Sequence, residues 1–280
     1  MTAQTAPRRR RRVRPQSVIN YALALVVAFA YLFPLLFVLN TSLKSDQDFF
    51  RNPVGLVTSP QFGNFVEAWN RGHFGALIGN SVLYTLAAAG LGTLVSLMIG
   101  FPVSRGYFKH SRAWYGLFVV LLFLPNAIIT QFQLLLRIGL YNSQLGYILI
   151  MAAAVGVGPI LIAAYARSIP IELDEAAAVD GAGYWRYLFT FVVPLARPAL
   201  ATVFILQAIG IWNDIILATV LLPDRQKAPI SLGLYAFQGT YNNEWGLLAA
   251  ATLIVAAPLV VAFLALQRYL IGGIVGSVKG

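Results

Sequence analysis

Cysteine is absent from this 280-residue chain, which excludes disulfides, thiolate metal sites and a cysteine nucleophile. Histidine is almost absent: His73 and His110 stand far apart in sequence and read as polar surface residues rather than as a metal pair. Charge is scarce too. Charged residues make up 11% of the chain against 59% hydrophobic, with mean hydropathy +0.73, whereas a soluble domain carries about 25% charged residues. No Gly-Lys pair occurs, so the chain holds no G-x4-G-K-[ST] phosphate loop to bind ATP. H-E-x-x-H, G-x-S-x-G and a carboxylate pair within an apolar run are all missing, which removes the usual signatures of a membrane-embedded enzyme.

What the chain does have is long apolar runs. A membrane-spanning helix needs about 20 mostly apolar residues, and six segments qualify: 18–40, 80–104, 114–137, 145–167, 198–222 and 247–270. The first run is too long for a signal-peptide core and reads as a retained helix. Backbone groups in lipid must be satisfied internally, so the runs predict helices, with Pro34, Pro125, Pro159 and Pro258 as tolerated kinks. The expected fold is therefore an all-α integral membrane domain over 18–280, preceded by a basic tail over 1–17.

The net charge of +10 does not point to nucleic acid, because the basic residues flank the apolar runs. With the N-terminus inside, fourteen of the twenty Lys and Arg fall on the cytoplasmic side, six of them in Arg8–Arg12 and Arg14. The positive-inside rule then predicts both termini in the cytoplasm and a multi-pass protein of the inner membrane. The arginine run is suited either to anionic lipid headgroups or simply to fixing orientation. Outward loops 41–79 and 223–246 carry Phe49, Phe50, Trp69, Tyr235, Phe237, Tyr241 and Trp245, which fit partner docking or an interfacial aromatic belt equally well.

The loop 168–197 is the most informative segment. Pro170 fits a first helical position, and Glu172, Asp174 and Glu175 place carboxylates in the first turn, where they complement the helix dipole. Gly181 and Gly183 offer a stop. A short helix is predicted from Pro170 to Asp180, followed by a second in Tyr184–Phe191 that ends before Pro194. Ala176, Ala177 and Ala178 let another backbone approach closely, while Ile171, Leu173 and Val179 give apolar grip. The pattern suits a docking helix, or a hairpin packed on its own membrane domain.

The run Glu175-Ala176-Ala177, three residues, Gly181, then nine residues to Phe191 and on to Pro194 resembles the EAA-x3-G-x9-I-x-L-P signature of ABC importer permeases. Phe191 and Val193 depart from its Ile and Leu but stay apolar. Asn40-Thr41-Ser42-Leu43-Lys44, Asn80-Ser81, Trp212-Asn213-Asp214 and the ending from Gln267 to Gly280 are similar to segments of the smaller permease of maltose-type carbohydrate importers, so the resemblance covers most of the chain. It implies a six-helix type I importer permease that pairs with a second permease. It also implies two cytoplasmic ATPase subunits, which hold the ATP and Mg, and an extracytoplasmic solute-binding protein that delivers a carbohydrate. Glu175, Ala176, Ala177, Gly181 and Pro194 would then couple the chain to the ATPase, with no cofactor and no catalytic residue of its own.

Asp214 is the only acid placed inside an apolar run, and an intramembrane carboxylate is a functional candidate by default. With Trp212 and Asn213 it offers an aromatic face, an amide and a carboxylate, as sugar sites do; pairing with a partner or capping a kinked helix is the alternative. Gln207 and Asn126, with Gln131 and Gln133, are further candidates for the substrate path. A competing function, a stand-alone ion-coupled transporter or channel, would call for more intramembrane charge than Asp214 alone.

Overall fold

The computed structural model describes residues 15–237 and 244–276, with side chains over 20–237 and 244–265. The expectations for the basic tail, for Tyr241 and for the side chains from Gln267 onward lie outside these residues. Every regular element among them is helical, as expected for an all-α chain. α1 (Pro15–Ser42), α4 (Phe74–Arg105) and α14 (Trp245–Gly276) are the long members. Between α1 and α4 lie α2 (Asp46–Arg51) and α3 (Gly63–Arg71); after α4 come α5 (Ser111–Leu121), α6 (Ile128–Arg137), α7 (Gln144–Ala153) and α8 (Gly158–Ala166). The loop that follows holds α9 (Glu172–Val179), α10 (Tyr184–Tyr187), a π turn over Leu188–Val192 and α11 (Val193–Leu195). α12 (Arg197–Trp212) and α13 (Ile216–Leu221) lead to two 3-10 stretches, Arg225–Lys227 and Ile230–Phe237, and then to α14.

Three helices are long and apolar enough to cross a membrane, and two bent pairs raise the number to five, among the described residues. Three of the six apolar runs are therefore not the single helices their composition suggests. Run 114–137 opens into α5 and α6 around Pro125, and neither piece reaches the length of a span. Run 145–167 bends by 46° between α7 and α8, with Pro159 in the first turn of α8. Run 198–222 stops at Asn213 and restarts as α13. Proline contributes to the first two: lacking an N–H, Pro125 falls in the gap between α5 and α6, and Pro159 fits the first turn of α8, where no N–H partner is needed. Pro34, Pro102 and Pro258, by contrast, stay inside continuous helices.

α4 is the hub, packing on α7, α8 and α12. Hydrophobic association is weak between helices in lipid, so close backbone approach does the work there, and it needs small residues. Gly100 supplies one: a Cβ there would lie 2.5 Å from the Pro159 carbonyl oxygen and 2.9 Å from Ile162 Cβ. Gly158 faces Ser96 in the same way, where a Cβ would meet Oγ at 2.2 Å. α1 instead packs on α14, and most of its residues from Tyr21 to Leu36 are exposed.

The far end of the bundle from the α9 loop is closed by side chains bonded to backbone. Asn40 donates to the Gly55 carbonyl at 2.8 Å and accepts from the Val57 N–H at 2.9 Å. Lys44 is 2% exposed and donates to the carbonyls of Asn52 and Pro53 at 2.8 and 3.0 Å. Asn80 bonds the carbonyls of Gln226 and Ala228, and Ser81 Oγ accepts from the Ile230 N–H at 2.7 Å. Phe49 stacks on Trp245 at 5.4 Å, so these two aromatics join α2 to α14. The two histidines are exposed and sit in left-handed backbone just before α4 and α5.

Glycine at the α4–α8 contact yields a direct expectation. Gly100→Val should destabilise the purified chain by about 1–3 kcal/mol, the range for overpacking a filled interior. Gly90→Ala, at an exposed α4 position with nothing within 4 Å of the added Cβ, should stabilise by about 0.5–1 kcal/mol because glycine is a poor helix former. Unfolding midpoints of the two variants in detergent check both signs.

Candidate functional site

The predicted helix at Pro170–Asp180 is present as α9, shorter at both ends. Its carboxylates Glu172, Asp174 and Glu175 fill the first turn, where the free N–H groups and the helix dipole favour negative charge. The stop is a Schellman motif. Gly181 adopts φ +68°, its N–H donates to Ala178 O at 3.1 Å, and the Ala182 N–H reaches back to Ala177 O at 2.9 Å. A Cβ on Gly181 would meet nothing within 4 Å, so the constraint there is backbone conformation and not bulk.

α9 turns one narrow face toward its own chain. Ala177 is 7% exposed and packs with Phe101, Ile162, Ala166, Tyr187 and Leu188. Three residues after Asp174, Ala177 lies on the face turned to the chain's own helices. Ala176, Glu175 and Glu172 are exposed, as are Ile171, Leu173 and Val179, the last at 88%. Pro194 is exposed in α11.

Asp174 fastens this face. Its Oδ2 lies 2.9 Å from Arg105 Nε as an ion pair, and its Oδ1 accepts from Arg105 Nη2 at 3.1 Å. Tyr107 donates to Oδ2 at 2.9 Å, and the Tyr187 hydroxyl donates to Oδ1. Arg105 also donates to the Ile169 carbonyl at 3.0 Å and lies over the Phe101 ring. The pair is largely removed from solvent, with Arg105 and Asp174 side chains 6% and 12% exposed. Burial, then the bond to Asp174, pushes the Tyr187 phenol up to about 12; Tyr107 is raised by the same two causes. Both phenols therefore remain neutral donors at physiological pH. Arg105, Tyr107 and Tyr187 were not legible as a site: the sequence shows a basic helix end, two tyrosines and an acid, 82 residues apart at the extremes, with no local pattern to join them.

The polar residues of the apolar runs divide. Trp212 is buried and its Nε1 donates to the Val255 carbonyl on α14 at 3.0 Å. Asn213 turns back to the Ile209 carbonyl at 2.9 Å. Asp214 accepts from the N–H groups of Leu217 and Ala218 at 3.2 and 2.8 Å and from Tyr147 Oη at 2.9 Å. It thus caps α13, satisfying donors that the break would otherwise leave free. The structural alternative for the triplet is the one these contacts describe. Asn126 is exposed in the α5–α6 break. Gln207 differs from the rest: its Nε2 reaches Ser96 Oγ only at 3.4 Å, and its Oε1 is buried with no donor.

Comparisons with known proteins agree on one lineage. A family model described as binding-protein-dependent transport system inner membrane component matches residues 88–275. The melibiose/raffinose/stachyose import permease protein of Bacillus subtilis is 34% identical over 267 residues, covering 92% of this chain and 95% of the relative. A diacetylchitobiose uptake system permease protein of Streptomyces coelicolor is 31% identical over 263 residues, with 92% and 87% covered. A chain of a bacterial ABC transporter that imports the acidic polysaccharide alginate shares the fold, with TM-score 0.78 over 94% of this chain and 99% of that one at 23% identity.

Removal of the Asp174 carboxylate tests the anchoring of the loop. Asp174→Ala should cost about 3–5 kcal/mol of local stability, because it leaves Arg105 buried without its charge partner. Limited proteolysis should then nick the chain between residues 168 and 197 at least tenfold faster than in wild type, with α4 itself still protected.

Proposed function

The chain belongs to the family of binding-protein-dependent transport system inner membrane components, and on that premise we propose that it forms one half of a heterodimeric sugar-translocation pathway. It is a permease subunit of an ABC importer, a multi-pass membrane protein and not an enzyme; nucleotide binding lies in a partner ATPase. Sugars or oligosaccharides are its cargo, as the names of its relatives indicate for themselves.

The full architecture proposed is six spans over 18–40, 80–104, 114–137, 145–167, 198–222 and 247–270, with both termini cytoplasmic and the loop 168–197 facing the cytoplasm. Support comes from the charge count and from pairing each broken run as one crossing, α5 with α6, α7 with α8, and α12 with α13. A second permease completes the pathway, two ATPase subunits power it, and a solute-binding protein feeds it from outside. The stand-alone ion-coupled alternative loses its main residue, since Asp214 is engaged in capping α13.

The observation that carries the coupling role is the knob made by α9. Its buried face is fixed by Asp174 and Ala177, while Ile171, Leu173 and Val179 stand exposed around a flat patch at Ala176. Such a small, rigid apolar projection fits a groove on an ATPase, with Glu175 at its edge and Gly181 setting the turn. Rigid-body closure of the ATPases would then move α9, and through Arg105 it would move α4.

Variants of the exposed face separate docking from folding. Val179→Arg and Ala176→Arg should leave the membrane helices folded but reduce copurification of the ATPase at least tenfold. Gly181→Val should weaken docking through strain, since a β-branched residue is an outlier at positive φ. Retained ATPase and unchanged sugar uptake in all three would remove the coupling role from α9.

A further inference from the structure

The hairpin that carries α9 has a second arm, and the two arms differ in charge. From Ser168 to Gly181 the chain holds Glu172, Asp174, Glu175 and Asp180 with no basic residue; from Ala182 to Asn213 it holds Arg186 and Arg197 with no acid. The second arm is also aromatic on its outside. Trp185 and Phe189, one turn apart, stack with ring centroids 6.2 Å apart and planes at 16°, and both are exposed, Trp185 to 59%. A stripe of this kind is unfavourable in water and marks a surface that something apolar covers.

Geometry sets this arm at the edge of the membrane. Tyr184–Leu195 runs as one helical segment through α10, the π turn and α11, and it meets α12 at 81°. Because α12 opens the fifth proposed span, a segment nearly perpendicular to it lies close to the plane of the bilayer. Its inner side is Tyr187, Leu188 and Val192, buried in one cluster with Phe101 and Ala166. Tyr187 packs 6.1 Å from Phe101, one turn inside the end of α4 at Arg105. At the other end the Tyr165 hydroxyl, in the last turn of α8, donates to the Leu195 carbonyl at 3.0 Å. The segment is thus held level with the last turns of α4 and α8. Arg186 and Arg197 are exposed and have no protein partner among the described residues.

We propose that Tyr184–Leu195 is an interfacial foot that binds anionic phospholipid of the cytoplasmic leaflet, with Trp185 and Phe189 at the boundary of headgroups and acyl chains and Arg186 and Arg197 on headgroup phosphates. The inference rests on the cytoplasmic placement of the loop 168–197. Aromatic rings beside arginine are the composition of helices that lie in the interface, guanidinium pairs well with phosphate, and the cytoplasmic leaflet carries negative charge. The same surface repels the acidic α9, which is left to the ATPase. One hairpin then meets two partners, lipid through its basic aromatic arm and protein through its acidic one.

The test uses the complete importer, with its partner permease, ATPases and binding protein, in vesicles of phosphatidylcholine and phosphatidylglycerol in equal amounts. The photo-cross-linking analogue benzoylphenylalanine replaces Phe189 in one variant and Val179, the exposed end of α9, in another. Irradiation should yield a phospholipid adduct at 189, identified by mass spectrometry, with phosphatidylglycerol enriched over phosphatidylcholine, and an ATPase adduct at 179. Arg186→Gln should lower that enrichment about fivefold, the equivalent of ~1 kcal/mol for one basic residue at an anionic surface. If the 189 variant does not assemble, the analogue at Trp185 asks the same question. A 189 adduct with the ATPase or the partner permease, or no adduct, would overturn the proposal, as would an enrichment unchanged in both Arg186→Gln and Arg197→Gln; an ATPase adduct at 179 in those cases leaves the coupling reading intact. A lipid adduct at 189 with none to the ATPase at 179 would remove the coupling role of α9 and leave the foot standing. A 179 adduct with the binding protein would place the loop outside, and both readings would fall.

Discussion

Backbone polar groups that leave a helix inside an apolar environment must find partners, and the architecture of this protein follows from where they do. An unpaired amide costs several kcal/mol away from water, so each interruption of a membrane helix requires a local remedy. At Asp214 the remedy is a side chain: the carboxylate takes two N–H groups of α13 and the Tyr147 hydroxyl. At residues 154–157 the remedy is backbone: the N–H groups of Ala154 and Val155 bond the carbonyls of Ile150 and Ala153, and the carbonyls of Val155 and Val157 accept from Gly158 and Leu161. One break is thus held by a side chain and the other by backbone turns.

The same economy of charge shapes the loop. One ion pair, Arg105 with Asp174, joins the end of the hub helix α4 to α9, and two tyrosine hydroxyls fill the remaining acceptor sites of the carboxylate. Because the Arg105–Asp174 pair is largely buried, the connection is stiff compared with an exposed pair, which contributes about 0–1 kcal/mol. Any force on α9 is passed to α4, and α4 packs on α7, α8 and α12. A push on the knob would therefore reach the α7–α8 break through contiguous packing.

Much of this was readable in the residues, and the failures have physical causes. Apolar runs identified helices because hydrocarbon admits little else, and the acid-first, glycine-last pattern located α9 because capping chemistry is local. The left-handed turn at Gly181 followed from the same local logic. Side-chain direction was not local: Ala177 lies inward because Asp174, one turn earlier, is held by an arginine 69 residues away in sequence. Run length alone likewise could not distinguish a kinked proline helix from a broken one, since Pro258 and Pro125 both sit within apolar runs yet Pro258 stays inside α14 and Pro125 opens a gap. Asp214 drew attention as a lone intramembrane acid, but the backbone donors that occupy it appear only once α13 restarts beside it.

Cysteine's absence from the chain makes the central claim directly measurable. A single Val179→Cys substitution gives a unique thiol on the exposed side of α9, to be reacted with a short bifunctional cross-linker in membranes containing the whole importer. Docking of α9 predicts a cross-linked product of this chain with the ATPase subunit, its yield changing when ATP is added and its formation lost when Ala176→Arg is introduced. A thiol at 179 that is labelled by a membrane-impermeant reagent from outside intact cells, and that yields no ATPase adduct, would contradict both the orientation and the coupling role.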